Sequence, residues 1–338
     1  MALSPYQRVD LDLTRDALAT STLSHALVIL GDRWTVAILL HAFLGVRRFD
    51  DWHTRLGIPR STLTQRLNAL LGLGLLVQRS YQARPVRMAY HLTEKGLTLY
   101  DHVLMMWAWE RRWGSRQLDL PEQLLHRSCG HACVPVLACA ACMSKVGLND
   151  LAFSLQVNTQ LGPIGSGRVR GQRLSVDESQ PMALGLRVDR WALLIVSAIL
   201  LGCHHFDALL HVLGIGSAVL SRRLASMVDS DLLLCQVDLL DARRRVYRLT
   251  PASRDLFGYI VCFSSWASRH HFAQPSSIAP EHKACGQPFV PVVICSHCGQ
   301  GLEAKAVLFG WAGTAKPEIN SGISSSKNSK VNPRQKTS

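Results

Sequence analysis

The chain has 338 residues, 48% of them hydrophobic, which is enough for packed cores and suggests two domains rather than one. Lysine and arginine total 37 against 24 aspartate and glutamate, and the net charge of +13 favours a polyanionic partner, nucleic acid before membrane. The most apolar run, residues 191–203, is too short to span a bilayer, and the N-terminus has no apolar signal segment, so we expect a cytoplasmic protein. Ten cysteines in such a chain indicate metal binding or reduced thiols rather than a disulfide framework.

Apolar periodicity and turn residues predict a helix-turn-helix unit in the first half of the chain. A lead-in is expected before it. The break between its last two helices falls at Gly57-Ile58-Pro59, a sequence that ends one helix and starts another. The four predicted helices lie at residues 23–30, 34–44, 49–56 and about 60–71.

The fourth of these helices has one apolar and one polar face. Its leucines follow the spacing of a single buried stripe: Leu63, Leu67, Leu70 and Leu71. The opposite face carries short polar side chains flanked by two arginines: Ser61, Thr62, Gln65 and Asn68, with Arg60 and Arg66. Such a face fits the major groove of DNA, where these side chains reach base edges, although a solvated helix has the same pattern.

A basic hairpin is predicted next. Its strands fall at residues 77–79 and 88–92, and three arginines surround Pro85 between them: Arg79, Arg84 and Arg87. Guanidinium groups at a hairpin tip are placed to contact phosphates or a minor groove. A long helix over residues 96–113 follows, and its Met and Trp stripe predicts core or dimer contact rather than a cofactor site.

Several runs within residues 21–113 resemble the HxlR-type winged helix-turn-helix regulators. They are Leu30-Gly31-Asp32-Arg33-Trp34-Thr35, Leu44-Gly45-Val46-Arg47-Arg48-Phe49-Asp50, Leu56-Gly57-Ile58, Leu92-Thr93-Glu94-Lys95-Gly96 and the segment 109–113. The resemblance implies a dimeric bacterial transcription regulator that binds double-stranded DNA. It also implies, for many members, thiol or electrophile sensing through a cysteine ahead of the first helix, where this chain has Ser21.

The same pattern returns at a fixed offset of 157 residues. Asp32-Arg33-Trp34 returns as Asp189-Arg190-Trp191, and Leu56-Gly57-Ile58 as Leu213-Gly214-Ile215. An offset kept over this distance indicates duplication. The predicted fold class is therefore α+β, mostly helical, with two winged helix-turn-helix domains.

The two copies differ on the face predicted to meet DNA. In the second copy that face is mostly apolar: Ala218, Val219, Arg222 and Ala225. Only Arg222 is suited to a specific base contact, and guanine is the base that an arginine most often contacts. The second hairpin keeps three arginines for phosphate contact: Arg243, Arg244 and Arg245. We expect the second copy to act mainly as the pseudo-dimer partner of the first.

A second repeated unit, offset by 156 residues, carries cysteines and histidines after each copy. Each unit has the order His-x-x-Cys-Gly and then Cys-x-x-Cys, with nine residues between the first cysteine and the second. The predicted ligands are His126, Cys129, Cys139 and Cys142 in the first unit, and His282, Cys285, Cys295 and Cys298 in the second. Two such turns meet around one tetrahedral Zn²⁺, which predicts one structural zinc ion in each zinc-ribbon-like module. Buried free cysteines are the alternative interpretation.

The repeat also separates these ligands from other thiols. Cys133 corresponds to Phe289, and His131 to Gln287, so neither is expected to bind metal. Three further cysteines have no cysteine counterpart and are expected in the core: Cys203, Cys235 and Cys262.

These observations predict seven segments along the chain. They are a lead-in (1–20), the first winged helix (21–118), the first zinc-ribbon-like module (124–156), a linker (162–181), the second winged helix (182–274), the second module (280–309) and a disordered basic tail (313–338). The leading hypothesis is a sequence-specific transcription regulator. A thiol redox protein or redox sensor using the Cys-x-x-Cys pairs is the main alternative, and a protein-binding scaffold is a third. Without a Ser-His-Asp order, a phosphate loop or paired carboxylates, no enzyme activity is predicted.

Overall fold

The computed structural model describes residues 9–114, 120–156, 190–270 and 277–311. The predicted linker and basic tail lie outside these residues. The helices of the first half are α1 Leu11–Ala19, α2 Thr22–Leu30, α3 Arg33–Phe43, α4 Phe49–Leu56, α5 Arg60–Gly72, α6 Glu94–Leu97 and α7 Tyr100–Trp113. Those of the second half are α8 Arg190–Leu200, α9 Phe206–Leu213, α10 Ser217–Asp229 and α11 Pro251–Arg269.

The strands form two wings and a set of intertwined ribbons. The wings are β1 Leu76–Ala83 with β2 Val86–Leu92, and β7 Leu233–Val237 with β8 Arg245–Leu249. The ribbon strands are β3 Gln123–His126, β4 His131–Cys133, β5 Pro135–Cys139, β6 Leu151–Leu155, β9 Ile278–His282, β10 Gln287–Pro288, β11 Pro291–Cys295 and β12 Val307–Gly310.

Local sequence signals set the helix-turn-helix of the first copy. Asp32 begins α3 by accepting hydrogen bonds from the backbone N–H groups of Trp34 and Thr35, each at 3.1 Å. Gly57 ends α4 with a left-handed φ of 61°, which glycine adopts without steric cost. The stripe predicted in α5 is buried at Leu63, Leu67 and Leu70, and this leaves the opposite face of the helix toward solvent.

The single helix predicted over residues 96–113 is wrong at its start. The Thr93 hydroxyl accepts a hydrogen bond from the Gly96 N–H at 3.0 Å and begins the short helix α6, and a turn then separates α6 from α7. Gly96 lies against the backbone of Leu75, where a Cβ would collide with the carbonyl oxygen. This close approach packs α6 against the base of the wing, so α6 and α7 do not form one continuous straight helix.

The two copies pack against each other within one chain, chiefly through α7 and α11. Trp109 Nε1 donates to the Ala252 carbonyl at 2.7 Å, and Trp266 Nε1 donates to the Thr98 hydroxyl at 3.0 Å. These two tryptophans occupy corresponding positions in the repeats, so the contact has approximate two-fold symmetry. The helix α1 also crosses to the second copy, where Asp12 pairs with His211 of α9 at 2.9 Å.

The ribbons exchange strands, which the expectation of two separate modules did not include. The first strand of one ribbon, β3, pairs with β12 at the end of the other, and β9 pairs with β6 in the same way. The central strands β5 and β11 pair with each other, with Leu137 opposite Val293. Each half-ribbon is completed by hydrogen bonds from the other repeat.

Among the described residues, no single helix combines the length and apolarity needed to cross a membrane. The helices α9 and α10 meet that test only as a pair, and they are bent by 119° at the turn between them. Both belong to the second helix-turn-helix.

A buried histidine between the long helices predicts a pH-dependent stability. The His102 ring lies 4.0 Å from the Tyr259 ring and 4.5 Å from the Phe263 ring, and burial lowers the pKa of His102 to about 3. Because the unfolded chain binds this proton near pH 6.5, the folded state loses stability as the pH falls below that value. Burial raises the pKa of the neighbouring Asp101 to about 6, and this shift acts in the opposite sense between about pH 4 and 6.

Comparison with His102→Phe separates the two effects, because Asp101 contributes to both proteins. Between pH 7 and pH 5, the variant should gain about 2 kcal/mol in free energy of unfolding relative to the wild type. Urea unfolding at the two pH values measures this difference. A difference that stays constant with pH would show that His102 is not held neutral.

Candidate metal centres and nucleic-acid interface

The eight predicted metal ligands lie in two clusters, and each cluster draws on both repeats. The first consists of His126, Cys129, Cys295 and Cys298. Cys129 Sγ lies 3.6 Å from His126 Nδ1 and 4.0 Å from Cys295 Sγ, and Cys298 Sγ lies 3.3 Å from His126 Nδ1. His126 and Cys295 are buried, whereas Cys298 is exposed.

The second cluster mirrors the first and consists of Cys139, Cys142, His282 and Cys285. His282 Nδ1 lies 3.2 Å from Cys285 Sγ and 3.4 Å from Cys142 Sγ, and Cys139 Sγ lies 4.0 Å from Cys285 Sγ. In both clusters all ligand atoms lie within 4.8 Å of one another.

The donor set and its spacing fit a tetrahedral metal ion. Zn–S bonds of about 2.3 Å and Zn–N bonds of about 2.0–2.1 Å place neighbouring ligand atoms of a tetrahedron roughly 3.5–3.8 Å apart. Three sulfurs and one imidazole nitrogen at these separations can close a four-coordinate shell. The glycine after the first cysteine of each unit, Gly130 or Gly286, has a positive φ of 71° or 65° that turns the chain around the site.

The grouping corrects the expectation of one closed site per module. The His-x-x-Cys turn of one repeat faces the Cys-x-x-Cys turn of the other, because β5 and β11 pair antiparallel and carry each Cys-x-x-Cys turn away from its own repeat. The two copies carry the same ligand types at the same spacing. Sequence spacing therefore could not distinguish pairing within a repeat from pairing across repeats.

The remaining thiols differ from the clustered ones. Burial raises the pKa of Cys133 to about 12 and that of Cys203 to about 11, and it raises the pKa of Cys262 well above its usual value. A thiol held in this way forms little thiolate, so these cysteines are poor nucleophiles. Cys235 is exposed, which corrects the expectation that it lies in the core.

Two histidines beside the first cluster stack on each other. The rings of His131 and His297 are parallel within 11°, with centroids 3.7 Å apart, and both side chains are exposed. Together with Cys129 they form a third group of nearby donor atoms. His131 Nδ1 lies 2.6 Å from the Cys129 carbonyl oxygen, so this ring already has a backbone partner.

The polar face predicted for DNA lies on the outside of α5. Ser61, Gln65 and Asn68 are exposed, and Thr62 is half-buried. Arg60, at the first position of the helix, lies 3.0 Å from Asp50 in an exposed ion pair, and its guanidinium covers the Phe49 ring. Exposed pairs of this kind contribute about 0–1 kcal/mol, so Arg60 can leave Asp50 for a phosphate.

Arg66 is a correction to the expected DNA-facing set. Its Nε lies 3.2 Å from Asp32 Oδ1, and its side chain is only 13% exposed. The ion pair ties α5 to the carboxylate that begins α3, so the guanidinium is used inside the domain. The sequence held a signal for this role, because the repeat keeps both partners as Asp189 and Arg223.

The first wing is longer than predicted and carries its basic side chains in solvent. Arg79, Arg84 and Arg87 are all exposed on the hairpin. Apolar side chains share this surface, since Tyr81 and Val86 are also exposed. The Arg48 guanidinium lies 4.6 Å from the centroid of the Tyr81 ring, which joins the wing to the loop before α4.

The second copy presents a different surface at the corresponding place. On α10, the residues at the positions that correspond to the polar face of α5 are exposed: Ala218, Val219, Arg222 and Ala225. On the wing, Arg243, Arg244 and Arg245 are all exposed, and Arg244 pairs with Asp207 at 2.7 Å. The wing tip also carries Leu239 and Leu240, which are 96% and 74% exposed.

Comparison with known proteins matches both halves of the chain to one family model, the HxlR-like helix-turn-helix, at residues 29–118 and 187–275. An uncharacterized HTH-type transcriptional regulator from Mycobacterium tuberculosis is 38% identical over 138 residues, which are 38% of this chain and 87% of the relative. The uncharacterized HTH-type regulator YdeP from Bacillus subtilis is 27% identical over 119 residues, covering 35% of this chain and 90% of the relative.

A solved structure of a candidate transcription factor from Pseudomonas aeruginosa is 30% identical and covers 41% of this chain and 94% of that chain, with a TM-score of 0.29. These similar proteins correspond in extent to about one of the two repeats.

Proposed function

Since the chain belongs to the HxlR-like helix-turn-helix family and is a transcriptional regulator of that type, we propose that its two copies divide the work of DNA binding. The first copy reads bases through Ser61, Thr62, Gln65 and Asn68, with Arg60 at the helix start. The first wing contacts phosphates or the minor groove through Arg79, Arg84 and Arg87. The observation that carries this proposal is the exposed polar face of α5 against the exposed apolar face of α10.

The second copy serves as pseudo-dimer partner and as a phosphate contact. Arg222 is the one side chain on its outward helix face suited to a base edge, and Arg243, Arg244 and Arg245 add positive charge at the wing. The packing of α7 on α11 supports this role, because it pairs two winged helices without a second chain. The proposal places the protein in the cytoplasm, where it meets DNA.

Selection of bound fragments from the genomic DNA of the source organism tests the proposal. The full chain is incubated with the fragments at physiological salt, and the retained DNA is sequenced and footprinted. We expect a small set of enriched sites, because four polar side chains on one recognition helix distinguish base pairs. Retention without any enriched sequence would leave only charge-driven binding and would contradict base reading by α5.

The footprint should be asymmetric. Two recognition helices on one DNA face contact half-sites about 10 base pairs apart or a multiple of that distance. Because one copy contacts bases and the other mainly contacts phosphates, we expect strong base preference in one half-site and weak base preference in the other. A palindromic site that holds two chains would instead show that pairing occurs between molecules.

We also infer that the two Cys/His clusters hold structural zinc. Three thiolates and one imidazole are a donor set that zinc prefers, and four protein ligands leave no open position for a substrate. The clusters join the two repeats, so a metal ion in each would fix the ribbons to one another. This role also accounts for the Cys-x-x-Cys pairs, because each pair faces a histidine and a cysteine of the other repeat. The redox alternative would use the same pairs as thiols. Elemental analysis of protein purified without chelators tests the inference.

A further inference from the structure

A cavity of about 330 Å³ lies where the second copy meets the start of the first. Its walls come from the beginning of α2, from α8 and α11, and from the ribbon strands β6 and β9. Small-molecule sites in proteins usually begin at about 300 Å³. The cavity is separate from both Cys/His clusters and from the recognition helices, so neither proposed role uses it.

The lining is apolar, with hydroxyl groups contributed by α2, α8 and α11. Apolar walls include Phe153, Phe257, Ile260 and Ile278. The hydroxyl groups belong to Ser21, Thr22, Ser197, Ser264, Ser265 and Ser268. Among the described lining residues, the one charged side chain is the exposed Arg269, and no acidic side chain is present. This composition disfavours a cation and suits an uncharged molecule with a largely apolar body.

The hydrogen bonds already made by the hydroxyl groups indicate what the ligand must offer. Ser21 Oγ donates to the Leu18 carbonyl at 2.7 Å and accepts from the Ser24 N–H at 3.1 Å, and the Thr22 and Ser264 hydroxyls pair with each other at 2.8 Å. Ser197 Oγ donates to the Leu193 carbonyl at 2.8 Å. A hydroxyl that donates to the backbone keeps its oxygen as an acceptor. The matching group on a ligand is therefore a hydrogen-bond donor such as a hydroxyl.

The repeat shows that this space results from smaller side chains in the second copy. Ser264 occupies the position of Trp107, whose indole is 6% exposed and donates to the Pro121 carbonyl at 2.9 Å. Ser197 and Leu200 likewise occupy the positions of Leu40 and Phe43, both buried in the first copy. Three larger side chains are thus replaced by smaller ones on the walls of one cavity. An apolar cavity without such an occupant costs stability, since its lining loses contacts.

We propose that this cavity binds one uncharged aromatic molecule that carries a hydroxyl group. The ligand would lie against α2 of the first copy and α8 and α11 of the second, with its hydroxyl toward Ser197. Because its walls come from both repeats, the site is complete only when the copies are paired. The proposal does not depend on DNA binding or on metal content.

The probe for the test is 2-naphthol, a bicyclic aromatic with one hydroxyl, titrated into the full chain and followed by calorimetry and naphthol fluorescence. We expect one saturable site per chain with a dissociation constant of about 1–100 μM, the range of a small ligand with few polar contacts. Ser264→Trp restores the side chain of the first copy and should weaken binding about tenfold or more, because the indole fills the cavity. Ser265→Trp fills the same cavity from the neighbouring position and should act in the same direction.

Ser264→Ala is the matched control, because it removes the hydroxyl but leaves the space, and it should change the affinity by less than about fivefold. Helical circular dichroism and the melting temperature show which variants are folded. Two results would overturn the proposal: no saturable binding of 2-naphthol by the wild-type chain, or unchanged affinity in a folded Ser264→Trp or Ser265→Trp variant. DNA binding measured on the same proteins distinguishes these results from a failure of the regulator assignment.

Discussion

Replacing Cys139 and Cys285 together by serine is expected to leave one zinc ion per chain, whereas replacing Cys139 and Cys129 together is expected to leave none. The first pair belongs to one cluster, and the second pair takes one ligand from each cluster. Pairing within each repeat would give the reverse result, because Cys139 and Cys129 would then share a site. Zinc content per chain, measured on protein purified without chelators, distinguishes the two arrangements.

Cys133→Ser is the control for this experiment and should retain two zinc ions, because Cys133 lies outside both clusters. The expected effect on folding is large, since structural zinc contributes about 10–16 kcal/mol in isolated zinc peptides. Loss of one ion should loosen strands of both ribbons, as each site joins the two repeats. A wild-type zinc content near zero, with all thiols titrating freely, would exclude the metal and restore the redox hypothesis.

Local patterns were sufficient to predict the helix-turn-helix. The helix predicted at residues 49–56 is α4 Phe49–Leu56, because the signal that ends it, Gly57-Ile58-Pro59, lies directly after it in the sequence. The buried stripe of α5 follows equally from its spacing of leucines. The family resemblance was confirmed in both halves, since each copy keeps its motif runs in order.

Long-range pairing was not predictable from the same patterns. Strand exchange between the ribbons depends on which of two similar partners each strand meets, and both partners have the same spacing of ligands and apolar residues. The cavity is a different case. The replacement of Trp107 by Ser264 was visible in the repeat, but only the fold shows that Ser197 and Leu200 line the same space.

Gln65→Ala is expected to weaken binding to the selected DNA site by about 1–3 kcal/mol while nonspecific binding stays almost unchanged, because a glutamine pairs with a base edge rather than with phosphate. Arg87→Ala should weaken specific and nonspecific binding together and reduce the salt slope by about one unit, since it removes one phosphate contact. Affinities for the selected site and for unrelated DNA, measured across a salt series, separate the two effects.

The matched variant in the second copy is Arg222→Ala, and it should alter sequence preference less than Gln65→Ala does. Its exposed neighbours Ala218, Val219 and Ala225 provide no further side-chain hydrogen bond to a base. The second copy therefore contributes little to sequence preference, and loss of the arginine contact should change that preference little. If Arg222→Ala changes the preferred sequence more than Gln65→Ala, base reading resides in α10 and the division of roles between the copies is reversed.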